Sequence, residues 1–422
     1  MSFRMKAITR EDHLAFVRAR PAVSHMQIPS WGDVKPDWRA ESLGWFDESD
    51  RLVGVGLVLL RPLPKLKRYF AYLPEGPVID WATPDLERWL EPMLAYLKAR
   101  GAFSVKMGPP VVTRRWSAEA VKAAIADPQA RRLRDVEATV HEPRAFDVAD
   151  RLRLLGWQQT EPGGEDGFAA GQPRYVFQVP FAGRSLEEVQ RGLNQQWRRN
   201  IKKAEKAGVK VIQGGYEDLP AFHQIYVETA ERDRFMPRPL AYFQCMWTAL
   251  KAEEPDRMRL YLAQHEGEVL AAATMLAVGE HVWYSYGAST SRKREVQPNN
   301  AIQWRMMSDA HTLGAGVYDF RGIIDTLEEN NHLLGLLRFK AGSGGEAVEY
   351  LGEWDFPLNK VLYKALDLYM SRRCYCGGPP RADRRRRCRE RGTPTAGRPV
   401  ELPVVHCGSR ALGARTTSGS TR

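Results

Sequence analysis

One order of elements (strand, acidic turn, strand, strand, helix, glycine, strand) occurs twice in this chain, about 215 residues apart, and constrains the fold most tightly. In the first copy, residues 45–53 (Trp-Phe-Asp-Glu-Ser-Asp-Arg-Leu-Val) lead into an apolar run over 55–60 and then Arg68-Tyr69-Phe70-Ala71-Tyr72. Residues 85–100 put Leu86, Trp89, Leu90, Met93, Leu94 and Leu97 on one helical face; Gly101 stops the helix and 103–107 forms a strand. In the second copy, residues 260–270 give strand, acidic turn and strand, 271–278 extend it, and 282–287 form the next strand. A helix over 300–313, capped by Asn299 or Asn300, ends at Gly314 before the strand 317–321. Two copies of one αβ unit account for the correspondence.

A chain of 422 residues has room for two or three domains. No apolar run approaches the roughly 18–20 residues of a membrane span. The first residues lack an apolar signal core, so a cytoplasmic protein is expected. The net charge of +11 suggests nucleic acid until it is localised. Residues 374–422 hold 11 arginines against Asp383, Glu390 and Glu401, which leaves only +3 for residues 1–373. That tail has no Lys, Ile, Phe or Trp and is expected to be disordered. Its Cys374, Cys376, Cys388, His406 and Cys407 match no common zinc-finger spacing, and no metal is expected. Cys245 is the one cysteine of the body, which excludes a disulfide framework.

The repeated unit resembles the acetyltransferase (GNAT) fold. An acetyl-CoA enzyme of that fold needs a glycine-bearing loop before the helix, so that backbone N–H groups can approach the pyrophosphate. The corresponding loops are placed at 80–84 and 289–298, and neither contains glycine. The fold is expected to be kept without the coenzyme A cradle, and no cofactor is expected. The fold class is therefore α/β (α+β), with two tandem GNAT-like acyltransferase domains. Domain 1 is expected over residues 1–180, completed by 345–373, and domain 2 over 181–344, with the arginine-rich tail over 374–422.

Six motifs narrow the resemblance. They are Ile28-Pro29-Ser30-Trp31-Gly32-Asp33-Val34-Lys35, Glu75-Gly76-Pro77-Val78-Ile79-Asp80-Trp81, the basic helix 195–207 with its stop at Gly208, Glu231-Arg232-Asp233-Arg234-Phe235, Trp283-Tyr284-Ser285-Tyr286-Gly287, and Arg338-Phe339-Lys340-Ala341-Gly342. In this order, over about residues 20–370, the set resembles the FemABX family, aminoacyltransferases that build peptidoglycan interpeptide bridges. The absence of a long heptad stretch matches the members without a coiled-coil arm. The resemblance implies aminoacyl-tRNA as donor and a muramyl-pentapeptide precursor as acceptor, either UDP-linked or lipid-linked (lipid II). It also fits a monomer that contacts the inner membrane transiently if the acceptor is the lipid.

Carried over residue by residue, the resemblance gives Lys35, above Trp31, to the acceptor's diphosphate, a task that suits a lysine point charge. Arg232 and Arg234 fall where members carry an acceptor-binding arginine, although ion pairing with Glu231 or Asp233 explains them equally well. Tyr284 and Tyr286 alternate and so share one strand face, one toward the acceptor and the other in the core. Phe339 and Lys340 resemble the pair near the reacting ester and the tRNA end, and are assigned as catalytic. Arg198, Arg199, Lys202, Lys203 and Lys206 form a helix face able to hold tRNA phosphates or simply to be solvated. Some members carry an Asp where Gly108 stands; Asp319 is a substitute or a structural cap, and a substrate-assisted proton path is the expectation. The alternatives are an acetyl-CoA-dependent GNAT N-acetyltransferase and a module that binds RNA or precursor without catalysis.

Overall fold

The two acidic turns do what their composition implies. Asp50 and Glu266 take left-handed φ values of 58° and 51°, so each turn reverses the chain and starts a long antiparallel ladder. The computed structural model describes residues 3–63, 66–160, 171–331, 333–365 and 368. The tail of 374–422, with its arginine run and its cysteines, lies outside the described residues.

The first unit runs β1 (Arg4–Ala7), α1 (Arg10–Arg18), α2 (Pro29–Asp33), β2 (Arg39–Phe46), β3 (Leu52–Pro62), β4 (Tyr69–Leu73), α3 (Glu87–Ala99) and β5 (Ala102–Met107). A connecting stretch holds β6 (Val112–Ser117), α4 (Ala118–Ala126), β7 (Val140–His141), α5 (Pro143–Leu154), β8 (Gln158–Gln159), β9 (Tyr175–Pro180), α6 (Leu186–Gly192) and α7 (Gln195–Lys206). The second unit repeats the first: β10 (Lys210–Gly214), α8 (Leu219–Asp233), α9 (Leu240–Glu253), β11 (Met258–His265), β12 (Glu268–Val278), β13 (His281–Ser289), α10 (Pro298–Thr312) and β14 (Val317–Gly322). The chain closes with α11 (Leu334–Ala341), β15 (Glu346–Tyr350) and β16 (Trp354–Pro357). No described helix is long and apolar enough to cross a membrane, and none exceeds 15 residues, so the described residues contain no coiled-coil arm.

Both units are GNAT-like. In each, antiparallel strands lead into a parallel pair separated by a helix, β4 with β5 and β13 with β14. Gly101 and Gly314, at φ 87° and 79°, turn the chain from that helix into the following strand, a conformation glycine adopts without penalty. β3 and β12 are buried through their middles because both sheet faces are covered, which explains why their sequences run apolar instead of alternating.

The sheets do not follow a division at residue 180. The first has the order β1-β2-β3-β4-β5-β16-β8, and the second β10-β11-β12-β13-β14-β9-β15-β6-β7. Thus β6, β7 and β9, all before residue 181, join the second sheet with β15, while β8 and β16 return to the first. Pro109 and Pro110 follow β5 directly and lack N–H groups, so the ladder cannot continue and the chain leaves for the other sheet. One apolar cluster also draws on both units: Val17, Ile28, Trp31, Val55 and Leu57 pack with Phe222, Phe243, Met246, Leu260 and Trp283. Residues 1–364 accordingly form one compact unit.

His13 and His25 are buried near this shared core. His13 Nδ1 lies 2.9 Å from Ser42 Oγ, and His25 sits between the rings of Trp31 and Trp283 at 5.1 and 4.7 Å. Burial pushes the His13 pKa down to about 4 and holds His25 well below the usual imidazole value. An unfolded histidine takes up its proton near pH 6.5, so stability is expected to fall as pH drops from 6.5 toward 4. His13 contributes about 3 kcal/mol to that loss. Equilibrium unfolding across this range checks it: His13→Asn should flatten the dependence, and an equally steep curve would exclude His13 as a source.

Candidate active site

In the first unit the β4–α3 connection spans 74–86, longer than the 80–84 loop expected, and it does contain a glycine, Gly76. Gln27 occupies the space beside it: a Cβ on Gly76 would lie 2.3 Å from Gln27 Cδ. The buried amide donates through Nε2 to the Pro74 carbonyl (2.7 Å) and accepts from the Leu57 N–H (2.9 Å). In the second unit the loop is free of glycine, and α10 opens with Pro298, which has no N–H to give. Lys293 and Arg292 in that loop pair with Glu266 and Glu268, each at 2.7 Å. Neither connection presents a glycine-lined row of donors.

A cavity of about 390 Å³ opens instead where the ends of β4 and β5 meet β14, lined among others by Glu75, Gly108, His281, Asp319, Arg321 and Glu353. Arg321 organises it. Its backbone is left-handed (φ 61°), and its guanidinium donates to Glu75 Oε1 (2.8 Å) and Gln172 Oε1 (3.0 Å). Ser24 Oγ donates to the other Glu75 oxygen at 2.6 Å. Asp319 is fully buried and accepts from the Arg321 N–H (2.6 Å) and Gln178 Nε2 (3.0 Å), with His281 Nε2 at 3.3 Å. Burial alone would raise its pKa, but His281, the Arg321 charge and Gln178 hold it below the ordinary carboxylate value. Asp319 is therefore an ionised brace for the turn and a poor proton acceptor.

Lys340 lies under the same turn. It is buried, and Nζ donates to the carbonyls of Phe320 (2.8 Å) and Gly322 (2.6 Å), with that of Arg321 at 3.4 Å. Burial pushes its pKa down to about 7. The Phe339 ring packs against that of Trp197, tilted by 35° at 4.8 Å between centroids, and Trp197 Nε1 donates to the Phe339 carbonyl (2.9 Å). Sequence reasoning expected Lys340 near the reacting ester and the tRNA end. The structure gives it a fixed place behind Arg321.

Glu353 is the residue that sequence reasoning missed. β16 pairs with β5 through Trp354 and Met107, which sets Glu353 across from Gly108; a Cβ on Gly108 would lie 3.7 Å from Glu353 Cγ. Tyr72 OH donates to Glu353 Oε1, and Lys106 Nζ lies 3.9 Å from Oε2. Burial pushes this carboxyl's pKa up, against the pull of Lys106 and Tyr72.

A second cluster gathers Lys35, Trp31, Tyr242, Tyr286 and Arg238. Lys35 Nζ donates to Tyr242 OH (3.1 Å) and lies 4.9 and 4.8 Å from the Trp31 and Tyr242 ring centres. Burial, helped by the Arg238 charge, pushes its pKa down to about 8. Tyr286 OH donates to Tyr242 OH (3.2 Å), and the Arg238 guanidinium stands 5.4 Å from the Tyr242 ring. Tyr284 is elsewhere. A bulge between the Thr274–Tyr286 and Met275–Tyr284 pairs breaks the expected alternation, and Tyr284 packs toward Phe320 on the other face. Arg232 donates to the Ser289 carbonyl (2.7 Å) and pairs with Asp233, joining α8 to β13, while Arg234 is an exposed left-handed cap.

The sequence model of the FemAB family matches residues 8–266 and 251–370. The chain belongs to the FemAB family. It is similar to the lipid II:glycine glycyltransferase of Staphylococcus haemolyticus, 26% identical over 431 residues, covering 85% of this chain and 94% of that protein. The corresponding protein of Staphylococcus saprophyticus is also 26% identical, with the same coverage. Among solved structures, the crystal structure of FemX superposes with a TM-score of 0.71 at 22% identity, covering 86% of this chain and 99% of that one.

In this FemAB chain the basic helix α7 turns Trp197 and Ala204 inward and leaves Arg198, Arg199, Lys202, Lys203 and Lys206 exposed. Arg198 is partly committed, donating to the Arg191 and Leu193 carbonyls at the end of α6. A cleft of about 610 Å³ between α7 and α10 is lined by Arg198, Lys202, Trp304 and Arg305. Among the described residues no group of His, Cys, Asp and Glu is arranged to hold a metal. Replacing Lys340 by Met would leave two or three buried carbonyls unpaired, a loss of about 1–3 kcal/mol. Denaturant unfolding of Lys340→Met should show a loss of that order, and its crystal structure should show Arg321 released from Glu75. An unchanged midpoint with the ion pair intact would refute the bracing role.

Proposed function

We propose that this protein transfers a small amino acid (glycine, alanine or serine) from aminoacyl-tRNA to the side-chain amine of the stem peptide in a peptidoglycan precursor, extending the interpeptide bridge. The observation that carries this reading is the FemAB match running through both GNAT-like units to residue 370. Relatives named as lipid II:glycine glycyltransferases favour the lipid-linked acceptor, and hence work at the inner membrane face. The occupied first loop and the proline-headed second one speak against acetyl-CoA as donor.

In the proposed reaction the amine nitrogen attacks the ester carbonyl carbon, a C–N bond forms, and the C–O bond to the terminal tRNA ribose breaks. The amine gives up a proton and the departing ribose oxygen gains one. Lys35 and Arg238 are the proposed contacts for the acceptor's diphosphate, with Trp31, Tyr242 and Tyr286 forming the wall beside it. Arg321, braced by Lys340 and Asp319, is proposed to orient the peptide end or polarise the carbonyl in the cavity. Phe339 and Lys340 thus act through the turn they support. Arg199, Lys202, Lys203 and Lys206 are proposed to hold tRNA phosphates, with Arg198, and Trp304 in the adjoining cleft. Arg232 and Arg234 keep a peripheral place in this scheme, one tying α8 to β13 and the other on the rim.

A substrate-assisted proton path was the expectation from Gly108. Glu353 supports a protein route instead, because a carboxylate whose pKa is raised by burial stands across the ladder from that glycine. Incubating the protein with a pool of charged tRNAs and both precursor forms, read by mass spectrometry, is expected to add one aminoacyl residue to the precursor. Acetyl-CoA in the same assay should add nothing; acetylation without aminoacylation would overturn the proposal. Glu353→Gln is expected to lower turnover about 10²–10⁴-fold and to remove the acidic limb of the pH–rate profile. A wild-type profile in that variant would take Glu353 out of the proton path.

A further inference from the structure

The connection between α8 and α9, Arg234-Phe235-Met236-Pro237-Arg238-Pro239, lies at the edge of the shared apolar cluster, where Phe235 rests one side of its ring 5.5 Å from that of Tyr226. Met236 is 89% exposed, the highest value of any large apolar residue among the described residues, and Phe235 is 40% exposed. Arginines stand on either side of this tip, and the adjoining acid, Asp233, is already paired by Arg232. The segment is held, because the Phe235 N–H donates to the Ala230 carbonyl (3.0 Å) and His223 Nε2 lies 2.9 Å from the Arg238 carbonyl. Two prolines further restrict its backbone. A fixed apolar tip between two exposed guanidiniums has the chemistry of an interfacial anchor, its side chains reaching the acyl boundary and its cations lying among lipid phosphates.

We infer that residues 234–239 dock the protein on an anionic lipid bilayer. The position of the segment gives the contact a purpose, in a step that rests on the proposed function. Arg238 flanks Tyr242 in the Lys35 cluster, so docking through this turn would bring the diphosphate pocket to the headgroup layer, where a lipid-linked precursor carries its diphosphate. One methionine and one phenylalanine bury far less than an acyl chain, so the contact is weak and reversible. That suits an enzyme that must also exchange tRNA with the solvent.

Vesicle flotation of the full chain tests this without substrate, using phosphatidylcholine vesicles with and without phosphatidylglycerol. The wild type is expected to bind the anionic vesicles and to be released as salt rises. Met236→Asp should weaken that binding by about tenfold or more, with transfer to the UDP-linked precursor unchanged. Because both proteins carry the same arginine-rich tail, the difference reports the turn alone. Equal binding by wild type and variant, or binding to neither vesicle, would overturn the inference. Loss of all transfer with the vesicle difference preserved would sink the proposed function and leave the docking surface standing.

Discussion

A buried lysine holds the cavity together. Lys340 donates into the carbonyls of residues 320 and 322, and those bonds compensate the burial of its charge. The bent backbone places Arg321 in a left-handed conformation, aims its guanidinium at Glu75 in the other unit, and turns its N–H to Asp319. Without the lysine the turn keeps only the Asp319 brace on one side and loses the partner of its carbonyls on the other. In the proposed scheme Lys340 serves the site from behind, through the turn it braces.

The repeated scaffold has its two strand-to-helix connections filled or tied down by unrelated means. In the first unit a glutamine from the neighbouring α1–α2 connection fills the space a pyrophosphate loop would need. In the second, a proline removes the first helical donor and two ion pairs tie the loop down. What replaces the cradles is a cavity made jointly, with Glu75 and Glu353 from one sheet and His281 and Arg321 from the other.

Much of this was legible from sequence where the signals are local. The apolar runs of β3 and β12, the acidic turns, and the glycines at 101 and 314 each specify their own few residues, and the order of those pieces revealed the repeat. The FemABX motifs likewise lie in short stretches. Contacts between distant stretches were not legible. That β9 and β15 pair with each other depends on the chain leaving the first sheet after Pro110. Ser285 sits at a bulge that alternation cannot foresee, which separated Tyr284 from Tyr286. The burial of Lys340 was not legible because its carbonyl partners come from a strand about 20 residues away. Arg238 and Tyr242 lie just beyond the Glu231–Phe235 motif, on either side of the start of α9, and Glu353 gave no signal until β16 was seen beside β5.

The apolar cluster shared by the two units has a further meaning for how such a chain can diverge. Trp31 and Ile28 from one half rest on the same neighbours as Phe243 and Trp283 from the other. Neither half can therefore be cut away, swapped for a homologue's, or drift in sequence on its own without exposing part of its partner. The two halves stand or fall as one body.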